Sequence, residues 1–307
     1  MRRIRVAMMM VAVAVAIAGG WSAVAEEMVI RIWPDAPPGA EPALPAEADV
    51  TKPGDGQVAG RRVMRIGNVS TPTLSIRRPT GGDHATACVL VCPGGGYNIL
   101  ARDLEGTEVC DWLDSMGVTT ALLSYRVPRR AGREPWAAPL EDAQRSIRIL
   151  RHRAAELGID PGKIGCLGFS AGGNLCGLVA TRHGEAAPPP VDAADDASSR
   201  PDFTILVYPA YMVDESDRSR PAAPLRWGPD SPPTFITMAE DDVLGCDNAL
   251  VTALELSRHK VPISLHLYPT GGHGYGLRDT GDPSGTWPDR AAEWLRHRGL
   301  VAPRSSD

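Results

Sequence analysis

The 307-residue sequence has no Cys-x-x-Cys pair and no closely spaced pair of histidines, so its spacing offers no metal site, and no cofactor motif is present. It has no basic stripe. Its 32 Lys and Arg are outnumbered by 37 Asp and Glu, a balance that argues against a nucleic-acid partner. It has no internal repeat and no heptad pattern, which excludes solenoids and coiled coils. The first apolar run, residues 6–18, is too short and too small in side chain for a membrane span. Six cysteines do not define a disulfide framework. Cys88, Cys92, Cys166 and Cys176 fall in apolar segments and read as small buried hydrophobes, while Cys110 and Cys246 flank a helix and a loop. An exported chain can form one bond, but spacing does not name the pair.

What is present at the start is an address. Arg2, Arg3 and Arg5 precede the apolar run, and Ala23-Val24-Ala25 before Glu26 fits a small-residue cleavage site. Residues 1–25 are therefore expected to be a signal peptide, with export to the periplasm or the medium; the other reading is an uncleaved signal anchor. Cleavage removes three arginines and leaves 29 basic against 37 acidic side chains, a formal −8. That acidity suits an exported protein acting on a neutral polymer or oligomer. Residues 26–60, rich in Pro, Ala, Gly and acidic side chains, read as an extended N-terminal segment or a flexible arm. Residues 61–307 read as one domain, long enough to bury a single large core.

Within that domain, strand-like and helix-like segments alternate. Strands are expected near 87–91, 118–125, 163–169, 203–208, 233–238 and 263–268, and helices over 140–157, 171–181 and 247–259. Such alternation predicts an α/β fold, a mostly parallel sheet with helices on both faces.

The most informative stretch is Gly168-Phe169-Ser170-Ala171-Gly172, set between an apolar strand and a small-residue helix. A serine hydroxyl is a poor nucleophile unless it is held exposed beside a base. A sharp strand-to-helix turn holds it so, and the tightness of that turn requires glycine on either side. This context predicts a nucleophile elbow and the α/β-hydrolase fold. The bland alternative is a glycine-rich turn that binds an anion or nothing.

An elbow requires three further parts in chain order: oxyanion donors, an acid and a histidine. The loop Cys92-Pro93-Gly94-Gly95-Gly96-Tyr97 follows a buried strand. Its glycines can turn backbone N–H groups inward, and the amides of Gly95, Gly96 and Ala171 are the expected oxyanion donors. The acid falls in Glu240-Asp241-Asp242, where three adjacent carboxylates leave the choice open. The histidine is His273, in Gly271-Gly272-His273-Gly274-Tyr275-Gly276. The other six histidines fall on helix faces, in polar loops or, for His266, inside a strand.

Six motifs in order carry a family resemblance. Pro93-Gly94-Gly95-Gly96-Tyr97, Asp103-Leu104-Glu105-Gly106, Tyr125-Arg126-Val127-Pro128 and Asp142-Ala143-Gln144-Arg145 precede the elbow and the histidine loop. Together they resemble the acetylxylan-esterase-like α/β-hydrolases, relatives of the feruloyl-esterase, dienelactone-hydrolase and hormone-sensitive-lipase groups. The likeness spans about residues 61–300. It implies a short-chain serine carboxylesterase acting on a small-molecule or oligosaccharide ester, acetylated xylan foremost, or a feruloyl or general short-chain esterase. Members of this group sometimes carry a xylanase name, but a Ser-His-Asp set argues for ester rather than glycosidic cleavage. The acid loop also resembles that of prolyl-oligopeptidase-type serine peptidases, where the first of an Asp-Asp pair serves. That likeness implies Asp241, with Asp242 as the alternative. A peptidase of that type is the competing function, disfavoured by the short run of residues before the hydrolase segment.

Two insertions bear on specificity. Residues 185–200 read as a mobile low-complexity loop, and residues 211–233 as a longer loop at the ligand-binding edge of the sheet. No insertion reads as a helical cap, so an open site is expected, with Tyr97 and Trp227 as the aromatics beside the sugar. Glu105 and Arg126 are expected to brace loops rather than bind substrate.

Overall fold

The computed structural model describes residues 27–39, 43–79, 85–185 and 190–303. The signal segment and its cleavage site lie outside these residues, as do His84, Pro188 and Pro189.

In chain order the elements are β1 (Glu27–Arg31), β2 (Ala48–Asp49), β3 (Arg65–Gly67), β4 (Thr73–Arg77), β5 (Thr86–Cys92), β6 (Leu100–Ala101) and α1 (Glu108–Asp114). There follow β7 (Thr119–Ser124), α2 (Ala137–His152), α3 (Ala154–Leu157), β8 (Ile159–Phe169) and α4 (Ala171–Arg182). The chain closes with β9 (Phe203–Val207), β10 (Thr234–Ala239), α5 (Asp247–Arg258), β11 (Ile263–Tyr268) and α6 (Trp287–His297). One sheet has eight strands in the order β1-β4-β7-β5-β8-β9-β10-β11. The β1–β4 and β4–β7 pairs are antiparallel, and every other neighbouring pair is parallel. The central strands are mostly apolar, with threonine their one polar residue type, because both of their faces are buried.

Side-chain alternation along β8 assigns the helices to faces. Cys166 points to α4, where its sulfur is joined to that of Cys176. Phe169, three residues on and therefore on the opposite face, meets Trp287 of α6 edge-on, and Trp287 in turn meets Trp112 of α1. On the α4 side, Gln144 of α2 donates to the Arg182 carbonyl. This is the α/β-hydrolase architecture, with no large cap over the sheet edge among the described residues.

Four expectations are refined or corrected here. Of the two readings of residues 26–60, the described part of the segment supports the extended one and not the flexible arm. β1 pairs in register with β4 as the edge of the main sheet, and Ile32 and Trp33 are buried in the core. The segment's Pro and Gly content concealed a five-residue strand that gains its partner from a distant part of the chain. Cys166 and Cys176 are not separate thiols but a disulfide with Cα atoms 5.8 Å apart. The elbow folds the helix back over the strand and brings together two residues that no strand or helix period would pair. Finally, the described part of residues 185–200 is tied down, since the Arg145 guanidinium bonds both Asp192, at 2.9 Å, and Asp195, at 2.8 Å. The helix expected over 140–157 is also broken at Arg153 into α2 and α3.

Behind the sheet edge, Arg126 and Asp142 form a fully buried ion pair. Asp142 accepts from the Arg126 backbone N–H and from Trp33 Nε1 as well. Its lone pairs are thereby occupied, the condition under which a buried carboxylate is tolerated. Arg126 also reaches the carbonyls of Pro38 and Ala138, so this pair braces the fold at a distance from the reacting groups.

Candidate active site

The turn between β8 and α4 forces Ser170 to φ +50° and ψ −119°, a conformation L-residues rarely adopt. It is held there from both sides. The Ser170 N–H donates to the Val207 carbonyl at 3.1 Å, and its carbonyl accepts from Ala210 and Asn174. The need for glycine at the flanks is steric. A Cβ on Gly168 would collide with the Gly172 carbonyl, and one on Gly172 with that of Cys92.

Ser170 Oγ lies 2.8 Å from His273 Nε2, and His273 Nδ1 lies 2.7 Å from Asp242 Oδ2. The acid on the imidazole is therefore Asp242 and not Asp241, which corrects the expectation. Asp242 is buried, and its second oxygen accepts from Leu244 N–H at 2.8 Å. Asp241 is exposed and accepts from Gly272 N–H at 2.8 Å, so it supports the histidine loop instead. The β10–β11 ladder ends with Ala239 opposite Tyr268, and the Glu240 amide bonds the Tyr268 carbonyl at 2.7 Å. In the loop that follows, Asp242 is the buried carboxylate and Asp241 the exposed one.

The glycine loop offers its N–H groups to the same space. The Gly94 carbonyl accepts from Ala101 and the Gly95 carbonyl from Asn98 and Ile99. In a trans peptide the N–H opposes the carbonyl, so the amides of Gly95 and Gly96 turn the other way. Among the described residues neither amide has an acceptor, nor does that of Ala171 at the start of α4. Gly95 has φ +133°, and a Cβ there would strike the Ile99 carbonyl. Gly95, Gly96, Ser170 and His273 line one cleft of about 390 Å³.

Glu105 braces the assembly, as the sequence suggested. It is buried, and it accepts from Gly94 N–H at 2.7 Å and from Tyr208 Oη at 2.9 Å. Tyr208 Oη also accepts from Gly276 N–H at 3.0 Å, and its ring meets the His273 imidazole edge-on. One carboxylate thus spans the glycine loop and the histidine loop. Burial pushes its pKa up, against the pull of those two donors. Glu105→Gln cannot accept from both partners. It is expected to lower kcat for p-nitrophenyl acetate by about ten- to a hundredfold with little change in KM, as misplacement of reacting groups does. An unchanged kcat would show that the bridge has no positioning role.

The aromatics differ from expectation. Trp227 lines no cleft. Its indole is buried on α4 at Gly177, beside Met212 and Leu225, so it anchors its loop and the sugar-side expectation is corrected. A loop tryptophan in an otherwise polar insertion goes to the nearest apolar surface, here a glycine notch in a helix. Tyr97 does line a second, larger cleft of about 630 Å³ but exposes only 2% of its surface, and its hydroxyl donates to Asn174 Oδ1 at 2.7 Å. The accessible ring is Tyr211, 43% exposed and stacked on Tyr97 with 6.2 Å between centroids. Trp136 and Arg129 line the same cleft, and the Arg129 guanidinium bonds the Gly96 carbonyl at 3.0 Å. Sequence reading missed Tyr211, Trp136 and Arg129. The only signal was the position of Tyr211 at the start of an insertion on the correct sheet edge.

Among the described residues, the sulfurs of Cys92, Cys166 and Cys176 form the grouping closest to metal-ligand geometry. Two of the three are joined to each other, and burial raises the pKa of the third, so it stays a thiol.

Comparison with known proteins agrees with this architecture. The BD-FAE family model matches residues 74–207. The chain is 29% identical over 218 residues to an acetylxylan esterase of Xylanibacter ruminicola, covering 64% of this chain and 41% of that one. It is 31% identical over 205 residues to endo-1,4-beta-xylanase B of Butyrivibrio fibrisolvens, covering 61% of this chain and 32% of the relative. The chain thus spans less than half the length of these two relatives. Among solved structures it matches an acetyl ester-xyloside bifunctional hydrolase from Caldicellulosiruptor lactoaceticus, with a TM-score of 0.71 and 29% identity over 92% of this chain and 100% of that one. The chain has the α/β-hydrolase fold of a carboxylic ester hydrolase, and its similarity is to the acetylxylan-esterase-like group.

Proposed function

We propose that this protein removes short acyl groups, acetyl foremost, from carbohydrate esters by a two-step serine mechanism. The observation that carries this reading is the continuous chain Asp242–His273–Ser170, at an elbow beside three amides without acceptors among the described residues. His273 Nε2 takes the Ser170 proton as Oγ attacks the ester carbonyl, and Asp242 orients the imidazole and stabilises its charged form. The amides of Gly95, Gly96 and Ala171 hold the oxyanion, and His273 then protonates the leaving alcohol. Water, activated by the same histidine, releases the acid and restores Ser170.

The carbohydrate side of the proposal rests on the larger cleft. It presents the exposed Tyr211 ring among the polar side chains of Arg129, Glu134, Asp214 and Glu215, a mixture suited to sugar faces and hydroxyls. Export, with the first 25 residues as its signal, belongs to the same reading; no helix among the described residues is long and apolar enough to cross a membrane. The test is direct. The protein is incubated with acetylated xylan, feruloylated oligosaccharides and a peptide p-nitroanilide, and the released acid or amine is followed. Acetate from xylan is the expected product, while release from the anilide alone would replace the ester reading with a peptidase.

A short acyl side is expected as well. No insertion builds an apolar tunnel, and each methylene left in water forgoes about 0.8 kcal/mol of transfer free energy. Accordingly kcat/KM falls steeply from acetyl to octanoyl p-nitrophenyl esters. Octanoyl as the better substrate would point to a lipase-like enzyme instead.

A further inference from the structure

The cleft that holds Ser170 has a wall contributed by the segment ahead of the parallel sheet. Gln57, Val58, Val63 and Arg65 face the same space as Ser170 and His273. The wall is a built structure. Val58 and Arg61 exchange both backbone hydrogen bonds at 3.0 Å, closing a two-residue turn with Ala59 at φ +49° and Gly60 at φ +69°. The chain then enters β3, which pairs with β2 on one side and with β6 on the other. β6 lies just beyond the glycine loop, so this small sheet links the segment that carries the wall to the one that carries two of the expected oxyanion donors.

This wall has its own core. Val63, Ala101 and Leu104 are buried in an apolar cluster separate from the main core, and half-buried Val58 packs on it. It is also clamped to the histidine loop. Arg278, buried and five positions beyond His273, donates to the Arg61 carbonyl at 3.1 Å and the Arg62 carbonyl at 2.9 Å. The same guanidinium pairs with Asp103 at 3.0 Å and Glu108 at 2.8 Å. These bonds to four residues tie the turn to the histidine loop, which the mechanism above does not require.

The two clefts are built differently. Val58, Val63, Ile99, Ala101 and Leu104 line the cleft at Ser170, together with Gln57, Arg65 and Glu105. The larger cleft carries Arg129, Glu134, Asp214 and Glu215 beside its aromatic rings, and neither Ser170 nor His273 is part of its lining. A short hydrocarbon acyl chain attached at Ser170 gains by contact with the five apolar side chains of the first. We propose that the turn at residues 57–61, with Val63, forms the wall of the acyl pocket, and that Val58 sets the length of acyl chain accepted. The proposal rests on the ester reading given above and identifies which cleft receives which half of the substrate.

Two substrate series test it on the full protein. One varies the acyl chain from acetyl to hexanoyl on p-nitrophenol; the other keeps acetate and varies the alcohol from methyl to a xyloside. Val58→Ala is expected to raise kcat/KM for hexanoyl relative to acetyl by about fourfold, the value of one buried methylene. Val58→Trp is expected to lower the same ratio by on the order of tenfold through overpacking. The alcohol series should be unmoved in both variants. Thermal unfolding checks that each variant is folded, and the alanine variant alone suffices should the tryptophan not fit. Turnover with an unchanged acyl profile, or a shift confined to the alcohol series, overturns the assignment while leaving the ester reading intact. Absence of ester turnover in the unmodified protein overturns both.

Discussion

Ser170→Ala is expected to abolish ester turnover, lowering kcat by on the order of a millionfold where a serine of this kind acts as nucleophile. The magnitude follows from the role. Without Oγ there is no acyl-enzyme, and what remains is water attack assisted by the oxyanion donors alone. The fold should be indifferent to the change. Ser170 is positioned by its backbone bonds to Val207, Ala210 and Asn174, and its side chain makes a hydrogen bond only to His273. Kinetics with p-nitrophenyl acetate and a thermal unfolding curve are measured together. An inactive variant with an unchanged Tm is the expected outcome. Retention of more than roughly a tenth of turnover would remove Ser170 from the mechanism, since no partial role of a nucleophile permits it.

The second large effect separates two neighbouring carboxylates. Asp242→Asn is expected to lower kcat by about ten-thousandfold, because an amide facing Nδ1 favours the wrong imidazole tautomer and cannot stabilise its charged form. Asp241→Asn should cost less than about tenfold. Its oxygen accepts one exposed amide bond from Gly272, and an asparagine oxygen can accept the same bond. The contrast reads geometry through chemistry, since the two residues have the same side chain and adjacent positions. The reverse order would mean that the loop after β10 takes a different register in the working enzyme.

Much of this site was legible beforehand, for identifiable reasons. The order of serine, acid and histidine, the glycines on either side of Ser170 and the glycine run before Tyr97 are each demanded by local backbone geometry. Gly168 and Gly172 stand where a Cβ would collide with a carbonyl, and that restriction is written in residue type. The mostly apolar composition of β5, β9 and β10 likewise follows from burial on both faces. Glu105 and Arg126 are expected to brace because a buried Arg–carboxylate pair is a common way to hold such loops; Arg126 does pair with Asp142, whereas Glu105 is held by the Gly94 amide and the Tyr208 hydroxyl.

The misreadings share another character. Asp241 or Asp242, Trp227 or Tyr211, thiols or a disulfide, arm or strand are choices between residues equally acceptable to their local sequence. The sequence by itself determined the fold class and pointed to Ser170, His273 and the glycine loop as the candidate site, because a turn, a left-handed φ or a doubly buried strand admits few residue types. Tertiary structure decided the rest. The approach of the histidine loop to the loop after β10 set Asp242 on the imidazole, a notch at Gly177 took Trp227 out of the cleft, and the fold of α4 over β8 joined Cys166 to Cys176. Each depends on a surface supplied by a distant part of the chain, and the energy of such a contact is absent from any stretch of sequence that lacks its partner.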